Sequence, residues 1–132
     1  MSLLPDREPP FPPLDPARFA ADPMTQFSEW YAAAESAGFA EPDAMALATA
    51  DRRGRPSVRY VLLKGADERG FTFFTDGRSR KGRELAARPR ASVAFYWDAT
   101  GKQVRIEGRI VPVSKRYRAQ IERIATRVTV AS

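Results

Sequence analysis

The chain contains neither cysteine nor histidine among its 132 residues. The absence of cysteine excludes disulfides, thiolate catalysis and cysteine-ligated zinc, and it fits a reducing compartment. The absence of histidine removes the commonest general base, every Ser-His-Asp arrangement and most transition-metal sites. We therefore expect no metal site and no catalytic residue of these types.

Long apolar runs are also absent: none approaches the ~20 residues that a membrane-spanning helix requires, and no signal-peptide pattern opens the chain. With 43% hydrophobic and 29% charged residues, the composition is that of one globular domain with a single core. Six of the eleven prolines lie within the first 21 residues, which favours an extended arm. The sequence thus predicts a cytoplasmic protein with a proline-rich arm over residues 1–21 and a single domain over residues 22–132.

The net charge of +6 is unevenly distributed along the chain. Residues 1–51 have a net charge of −7, residues 52–90 of +8 and residues 91–132 of +5. A positive field centred on the middle of the chain suits a small anionic ligand or a nucleic acid equally well. Charge alone does not choose between these two kinds of partner.

The first residues of the predicted domain indicate a helix. Asp22 followed by Pro23 is typical of a helix N-cap and first turn, and Gly38 is typical of a helix end. The apolar residues between them recur at helical spacing, which predicts a face that packs on the core. These residues are Met24, Phe27, Trp30, Tyr31 and Ala34.

Alternating apolar and polar residues, with turn signals between the runs, predict five strands and favour a small barrel over a parallel sheet. In the second strand Arg59 and Lys64 project from opposite faces, because side chains alternate along a strand. In the fifth, a change of parity at Val111 and Val113 predicts a β-bulge near Gly108. The strands are expected over residues 45–50, 57–64, 71–75, 91–97 and 102–113.

Two more helices are predicted, and the first of them begins at a cationic loop. Ser79 is expected to cap a helix that runs to residue 88 and buries Leu85 and Ala86. Helix N-termini attract phosphate, whereas cations crowd this one, so the loop predicts an anion site. The alternative is a solvated basic loop. Apolar spacing after Ser114 predicts the last helix, over residues 114–125.

Five sequence blocks occur in a fixed order: RYVLLK, DERGFTFFT, SRKGREL, PRASVAFYW and KQVRIEG. Together they resemble the pyridoxine/pyridoxamine 5′-phosphate oxidase family of FMN-dependent split β-barrel enzymes. The resemblance covers about residues 22–114. It implies a mainly β (α+β) fold and a homodimer that binds two FMN molecules between its subunits. It also implies hydride transfer from a vitamin B6 phosphate to FMN, with reoxidation by oxygen.

The same resemblance implies roles for individual residues. Arg80 and Lys81 would hold the FMN phosphate, Gln103 would reach the flavin of the other subunit, and Lys64 would also approach the substrate phosphate. Because the flavin performs the redox chemistry, no catalytic side chain is assigned. The complete set of implied cofactor-binding residues is Arg59, Tyr60, Val61, Leu62, Lys64, Phe74, Thr75, Ser79, Arg80, Lys81 and Gln103.

The chain departs from the family pattern after Ser114. Family enzymes continue with a segment that supplies further flavin contacts and an Arg-x-His motif, which a chain without histidine lacks. A second hypothesis is therefore an FMN-binding split-barrel protein without B6 oxidase activity. A third is a basic nucleic-acid-binding barrel with Tyr60, Phe71 and Phe73 as stacking faces, although these aromatics also suit a core.

Overall fold

The computed structural model describes residue 11 and residues 14–75, 78–112, 118–122 and 127–131. Residues 118–122 and 127–131 are described by their backbone alone. The described residues form seven antiparallel strands and two α-helices. The five predicted strands and the first two predicted helices are all present, so the fold is mainly β as expected. The helices are α1 (Pro23–Ser36) and α2 (Arg80–Ala87). The strands are β1 (Ala44–Ala50), β2 (Pro56–Asp67), β3 (Gly70–Phe74), β4 (Arg90–Trp97), β5 (Lys102–Pro112), β6 (Arg118–Glu122) and β7 (Arg127–Ala131).

The sheet curls until its two ends meet. Its strand order is β4-β1-β2-β3-β6-β5-β7, and β4 also pairs with β5, so six of the strands form a closed circuit. The long strand β5 makes this possible, because residues 110–112 pair with β6 while residues 102–109 pair with β4. Closure leaves few unpaired strand edges, which is how antiparallel sheets avoid edge-to-edge association.

The core fills the interior of this barrel. In β1 the even-numbered residues face outward and Met45, Leu47 and Thr49 are buried, as period-2 alternation requires. Helix α1 covers one end, where the Phe27 ring lies 5.0 Å from that of Phe71 and 5.3 Å from that of Phe95, measured between centroids. The predicted apolar stripe of α1 is thus confirmed as a core face, with Trp30 and Tyr31 packed at its margin.

The predicted C-terminal helix is wrong over residues 118–122, which form β6. In that strand Ile121 is paired with both Phe71 of β3 and Ile110 of β5. Pairing at these two otherwise open edges prevails over the helical spacing of Tyr117, Ile121 and Ile124. The remainder of the predicted helix, residues 114–117 and 123–125, lies outside the described residues, as do residues 1–10, 12 and 13 of the proline-rich arm.

The predicted bulge near Gly108 is also wrong. Strand β5 stays in register with β4 from Lys102 to Arg109, and burial alternates without a break as far as Ile110. Val111 lies on the opposite face, where β5 pairs with β6. The register shift occurs instead in β2, where Leu63 is paired with Phe73 but Gly65 with Thr72.

Candidate functional site: a cationic corner at the start of the second helix

Two arginines meet where β2 passes α2, because Arg59 and Arg80 both contact Glu84. We call these two residues, together with Lys81, the next residue of the helix, the cationic corner. Ser79 is the N-cap of α2, and its Oγ accepts a hydrogen bond of 3.1 Å from the backbone N–H of Gly82. Arg80 and Lys81 are the first two residues of the helix, and its first turn contains no acidic residue. Backbone N–H groups and side-chain cations therefore share one end of the helix, a combination that favours an anion.

Arg59 reaches the corner from the half-buried face of β2. Its guanidinium donates hydrogen bonds to the Leu47 carbonyl oxygen (3.1 Å), to Thr49 Oγ1 (2.7 Å) and to Ser57 Oγ (2.7 Å). The side chain is 23% exposed, so these bonds fix its position while part of it remains open to solvent. As the alternation of β2 predicts, Lys64 lies on the other face.

Glu84 joins the two arginines of the corner. Its side chain is buried and lies within 3.5 Å of Arg59 and 2.9 Å of Arg80, measured from carboxylate oxygen to guanidinium nitrogen. The hydroxyls of Thr49 and Ser57 also donate to this carboxylate. These two hydrogen bonds, followed by the interaction with Arg80, lower the pKa of Glu84 to about 2, against the opposing effect of desolvation.

Thr75 follows directly after β3 and carries an unsatisfied group. Among the described residues, its Oγ1 atom is buried and has no hydrogen-bond partner. A buried hydroxyl without a partner costs roughly 1–3 kcal/mol, so such atoms usually mark a position where a ligand or water completes the structure. The resemblance assigns Thr75 to the cofactor, and that role stays a prediction.

The outward face of β2 is apolar and exposed. Val58 is 67%, Tyr60 80% and Leu62 37% exposed, and all three lie on this face. In the neighbouring strand they are paired with alanines: Ala48 with Val58, Ala46 with Tyr60 and Ala44 with Leu62. Small side chains beside large exposed ones form a surface that can accept another apolar surface.

Lys64 and Phe74 lie together at the far end of this region. The Lys64 Nζ atom is 5.6 Å from the centroid of the Phe74 ring, a cation–π distance. Val61 points to the opposite, half-buried side of β2 and packs against the core. Of the implied flavin-lining residues on β2, Arg59 and Val61 therefore face inward, whereas Tyr60, Leu62 and Lys64 face outward.

Gln103 does not join the other predicted residues within one chain. It lies at the start of β5, paired with Tyr96, and the sheet order places β4 and β1 between it and β2. In the closed circuit of six strands, β5 and β2 are three strands apart in either direction and so lie on opposite sides of the barrel. A contact between Gln103 and a flavin at β2 would thus require a second subunit, as the resemblance implies.

Sequence reasoning missed Glu84, Thr49 and Ser57 as members of the site. The helix was expected to bury Leu85 and Ala86; Leu85 is buried, but Ala86 is exposed and Glu84 is buried in its place. The available signal was the spacing of Arg80 and Glu84, four residues apart on one helix face, which is typical of an ion pair.

A closed antiparallel barrel with an inserted helix is the architecture of a split β-barrel. The family model described as pyridoxamine 5′-phosphate oxidase matches residues 31–130, and the chain belongs to that family. The fold and family expectations are thereby confirmed.

Relatives and solved structures agree with this assignment. The chain is 57% identical over 101 residues to pyridoxine/pyridoxamine 5′-phosphate oxidase of Paraburkholderia phytofirmans, a match of 76% of this chain and 47% of the relative. It is 41% identical to the crystal structure of PhzG from Burkholderia lata in complex with tetrahydrophenazine-1-carboxylic acid, with a TM-score of 0.72 over 77% of this chain and 52% of the other. A pyridoxamine 5′-phosphate oxidase-related, FMN-binding protein of Nostoc punctiforme has a TM-score of 0.63 at 26% identity, over 77% and 50% of the two chains. The chain spans about half the length of the curated relatives that it matches.

Proposed function

We propose that this chain binds FMN at the cationic corner and, as a homodimer, oxidises a phosphorylated vitamin B6 compound. The observation that carries the proposal is the corner itself: Arg80 and Lys81 begin α2 with no acidic residue in its first turn, and Arg59 and Arg80 both contact Glu84. Membership of an FMN-binding oxidoreductase family supports the same function.

The donors present fit the phosphate of FMN. A phosphate monoester carries a charge of about −1.5 to −2 near neutral pH and offers three acceptor oxygens. Lys81 would supply charge, and Arg80, whose side chain is 66% exposed and bonds to Glu84 through Nε, would supply the terminal N–H groups of its guanidinium. Arg59 would add a fixed positive charge, because its terminal N–H groups already bond to Leu47, Thr49, Ser57 and Glu84. Glu84 would fix the positions of the two arginines, since it bonds to both.

A second subunit would complete the site. The exposed apolar face of β2 and its alanine neighbours supplies a surface for association, and Gln103 is too far along the sheet to meet β2 of its own chain. Replacing Tyr60, which is 80% exposed, with Lys would place a charge on this surface. We expect the Tyr60→Lys variant to shift from dimer to monomer in analytical ultracentrifugation and to bind FMN more weakly. A wild-type protein that is already monomeric would contradict the dimer.

The bound flavin would accept a hydride from the substrate and pass the electrons to oxygen. The chain's own residues would bind and orient. Lys64, on the outward face beside Phe74, is the residue that we assign to the substrate phosphate, because it is exposed and cationic. No side chain is assigned a proton-transfer role.

The direct test is anaerobic mixing of the FMN-loaded protein with pyridoxamine 5′-phosphate while the visible absorbance of the flavin is followed. Bleaching, and pyridoxal phosphate formation when air is admitted, are the expected results. Absence of bleaching in a protein that retains FMN would refute the B6 reaction but not the flavin site.

A separate variant tests the proposed phosphate contact of the flavin site. Lys81→Gln should weaken FMN at least tenfold and leave riboflavin binding within twofold, because only FMN carries a phosphate. Arg53→Gln, an exposed arginine in the turn before β2, is the matched control and should change neither affinity. Equal losses for both flavins in Lys81→Gln would refute the phosphate assignment.

A second function, another flavin reaction in the same site, is favoured by one comparison. The PhzG structure, at 41% identity, contains tetrahydrophenazine-1-carboxylic acid rather than a B6 compound. If the flavin is not bleached by pyridoxamine 5′-phosphate, reduction by other donors becomes the next assay.

Two of the three aromatic rings that the nucleic-acid hypothesis requires for base stacking are inaccessible. Phe71 and Phe73 are fully buried in the core, and of the three aromatics proposed for stacking only Tyr60 is exposed. Stacking on successive bases requires several accessible rings, so the charge of the barrel is better explained by a small anion.

A further inference from the structure

The turn between β1 and β2 faces α2 across a cleft of about 700 Å³, which shares Arg80 with the cationic corner. The cleft is lined by four arginines, two carboxylates and two alanines. These residues are Asp51, Arg52, Arg55, Arg80, Arg83, Glu84, Ala86 and Ala87. Arg80 belongs to the cationic corner and Glu84 contacts it, whereas Arg52, Arg55 and Arg83 are cations of the cleft that lie outside the corner.

Hydrogen bonds hold the turn rigidly in place. Asp51 accepts bonds from the backbone N–H groups of Arg53 (2.9 Å) and Arg55 (3.0 Å), and Gly54 adopts a φ of +79° that glycine tolerates. Arg88, at the end of α2, donates a bond of 2.8 Å to the backbone carbonyl of Arg52. The two walls of the cleft are thus tied together.

Both carboxylates of the cleft are already engaged. Asp51 forms an ion pair of 2.7 Å with Arg55, and the backbone N–H of Arg55 is the main cause that lowers the pKa of Asp51. Glu84 is paired with Arg80 and Arg59. Within the described part of the chain, the side chains of Arg52 and Arg83 form no ion pair or hydrogen bond. The cleft therefore contains an excess of two positive charges without an internal counterion.

We propose that this cleft is a second anion site, which binds a small molecule carrying a phosphate or pyrophosphate group. Arginine forks match phosphate oxygens in pairs, and a volume of about 700 Å³ lies within the roughly 300–1,000 Å³ of small-ligand pockets. Ala86 and Ala87 supply an apolar wall for the body of the ligand. A nucleic-acid strand is a poorer match, because no aromatic ring is among the lining residues given above.

The test is calorimetric titration of the full chain with pyrophosphate at fixed ionic strength, both without flavin and after saturation with FMN. We expect saturable binding in both cases. The double variant Arg52→Gln/Arg83→Gln should weaken it at least tenfold. The double variant Arg53→Gln/Arg69→Gln removes the same charge from exposed positions outside the cleft and should remain within twofold of wild type.

Three outcomes would overturn the proposal. Equal weakening in the two double variants would show that only the overall charge attracts the anion. Loss of pyrophosphate binding after saturation with FMN would show that the anion occupies the flavin phosphate site instead. Tighter binding of a single-stranded oligothymidylate than of pyrophosphate, lost in Arg52→Gln/Arg83→Gln, would assign the cleft to nucleic acid. The FMN affinity of the cleft variant, measured separately, keeps this result independent of the proposed function.

Discussion

A single substitution at Thr49 tests the buried hydrogen-bond network that links Arg59 and Glu84. The Thr49 hydroxyl donates to the Glu84 carboxylate and accepts from the Arg59 guanidinium at 2.7 Å, and the residue is only 4% exposed. Thr49→Val keeps the shape of the side chain and removes both hydrogen bonds.

Each hydrogen bond to a charged group contributes about 1.5–3 kcal/mol. Both charged groups keep other hydrogen-bond partners in the variant, because Arg59 still donates to the Leu47 carbonyl and Glu84 still accepts from Ser57 and Arg80. We therefore expect Thr49→Val to lower the free energy of unfolding by about 2 kcal/mol in urea denaturation, which is less than the sum of about 3–6 kcal/mol for two such bonds, because both charged groups keep other partners. For a domain of this size the corresponding fall in Tm is roughly 6–10 °C.

Thr49→Ser is the matched control, since it keeps the hydroxyl and loses one methyl group. Its cost should be about 0.8 kcal/mol. Thr49→Val should also raise the pKa of Glu84, because the Thr49 hydrogen bond is the largest cause that lowers it. A valine variant as stable as the serine variant would refute the network as a source of stability.

Two further variants test the acidic group and the backbone. The folded-state pKa of Glu84, about 2, lies below its ordinary value of 4.5, so the stability that it contributes is complete above about pH 4.5 and is lost as pH falls towards 2. Glu84→Gln should therefore flatten the dependence of the unfolding free energy on pH between 6 and 3. An unchanged slope in this variant would contradict the argument. Gly101 has a φ of +68° and packs against the ring of Phe11, so Gly101→Ala should destabilise the fold by at least about 1 kcal/mol. Gly65 has open space around it and no positive φ, so Gly65→Ala should cost less. Thermal unfolding of the two variants tests this difference, and equal Tm values would contradict the prediction.

The sequence predicted the strands well because their alternation follows burial directly. In β4, for example, Ala91, Val93, Phe95 and Trp97 were expected on one face and all four are buried. The prediction failed at residues 118–122, where pairing with β3 and β5 decides the conformation and local helical spacing does not. Tertiary pairing of this kind cannot be derived from a single segment.

The candidate site was predictable in its cations but not in its buried carboxylate. Ser79 as N-cap followed from local rules, and the structure confirms it. The burial of Glu84 depends on hydroxyls from β1 and β2 that are 35 and 27 residues away in sequence, so no local pattern indicates it. The binding roles of the predicted residues stay predictions.

The central claim is that the cationic corner binds the phosphate of FMN. Its most direct test is a parallel titration of the cofactor-free protein with FMN and riboflavin, followed by quenching of flavin fluorescence. We expect FMN to bind at least tenfold more tightly than riboflavin, since the corner supplies charge-assisted bonds that only the phosphate can accept. Equal affinity for the two flavins, or binding of neither, would contradict the claim.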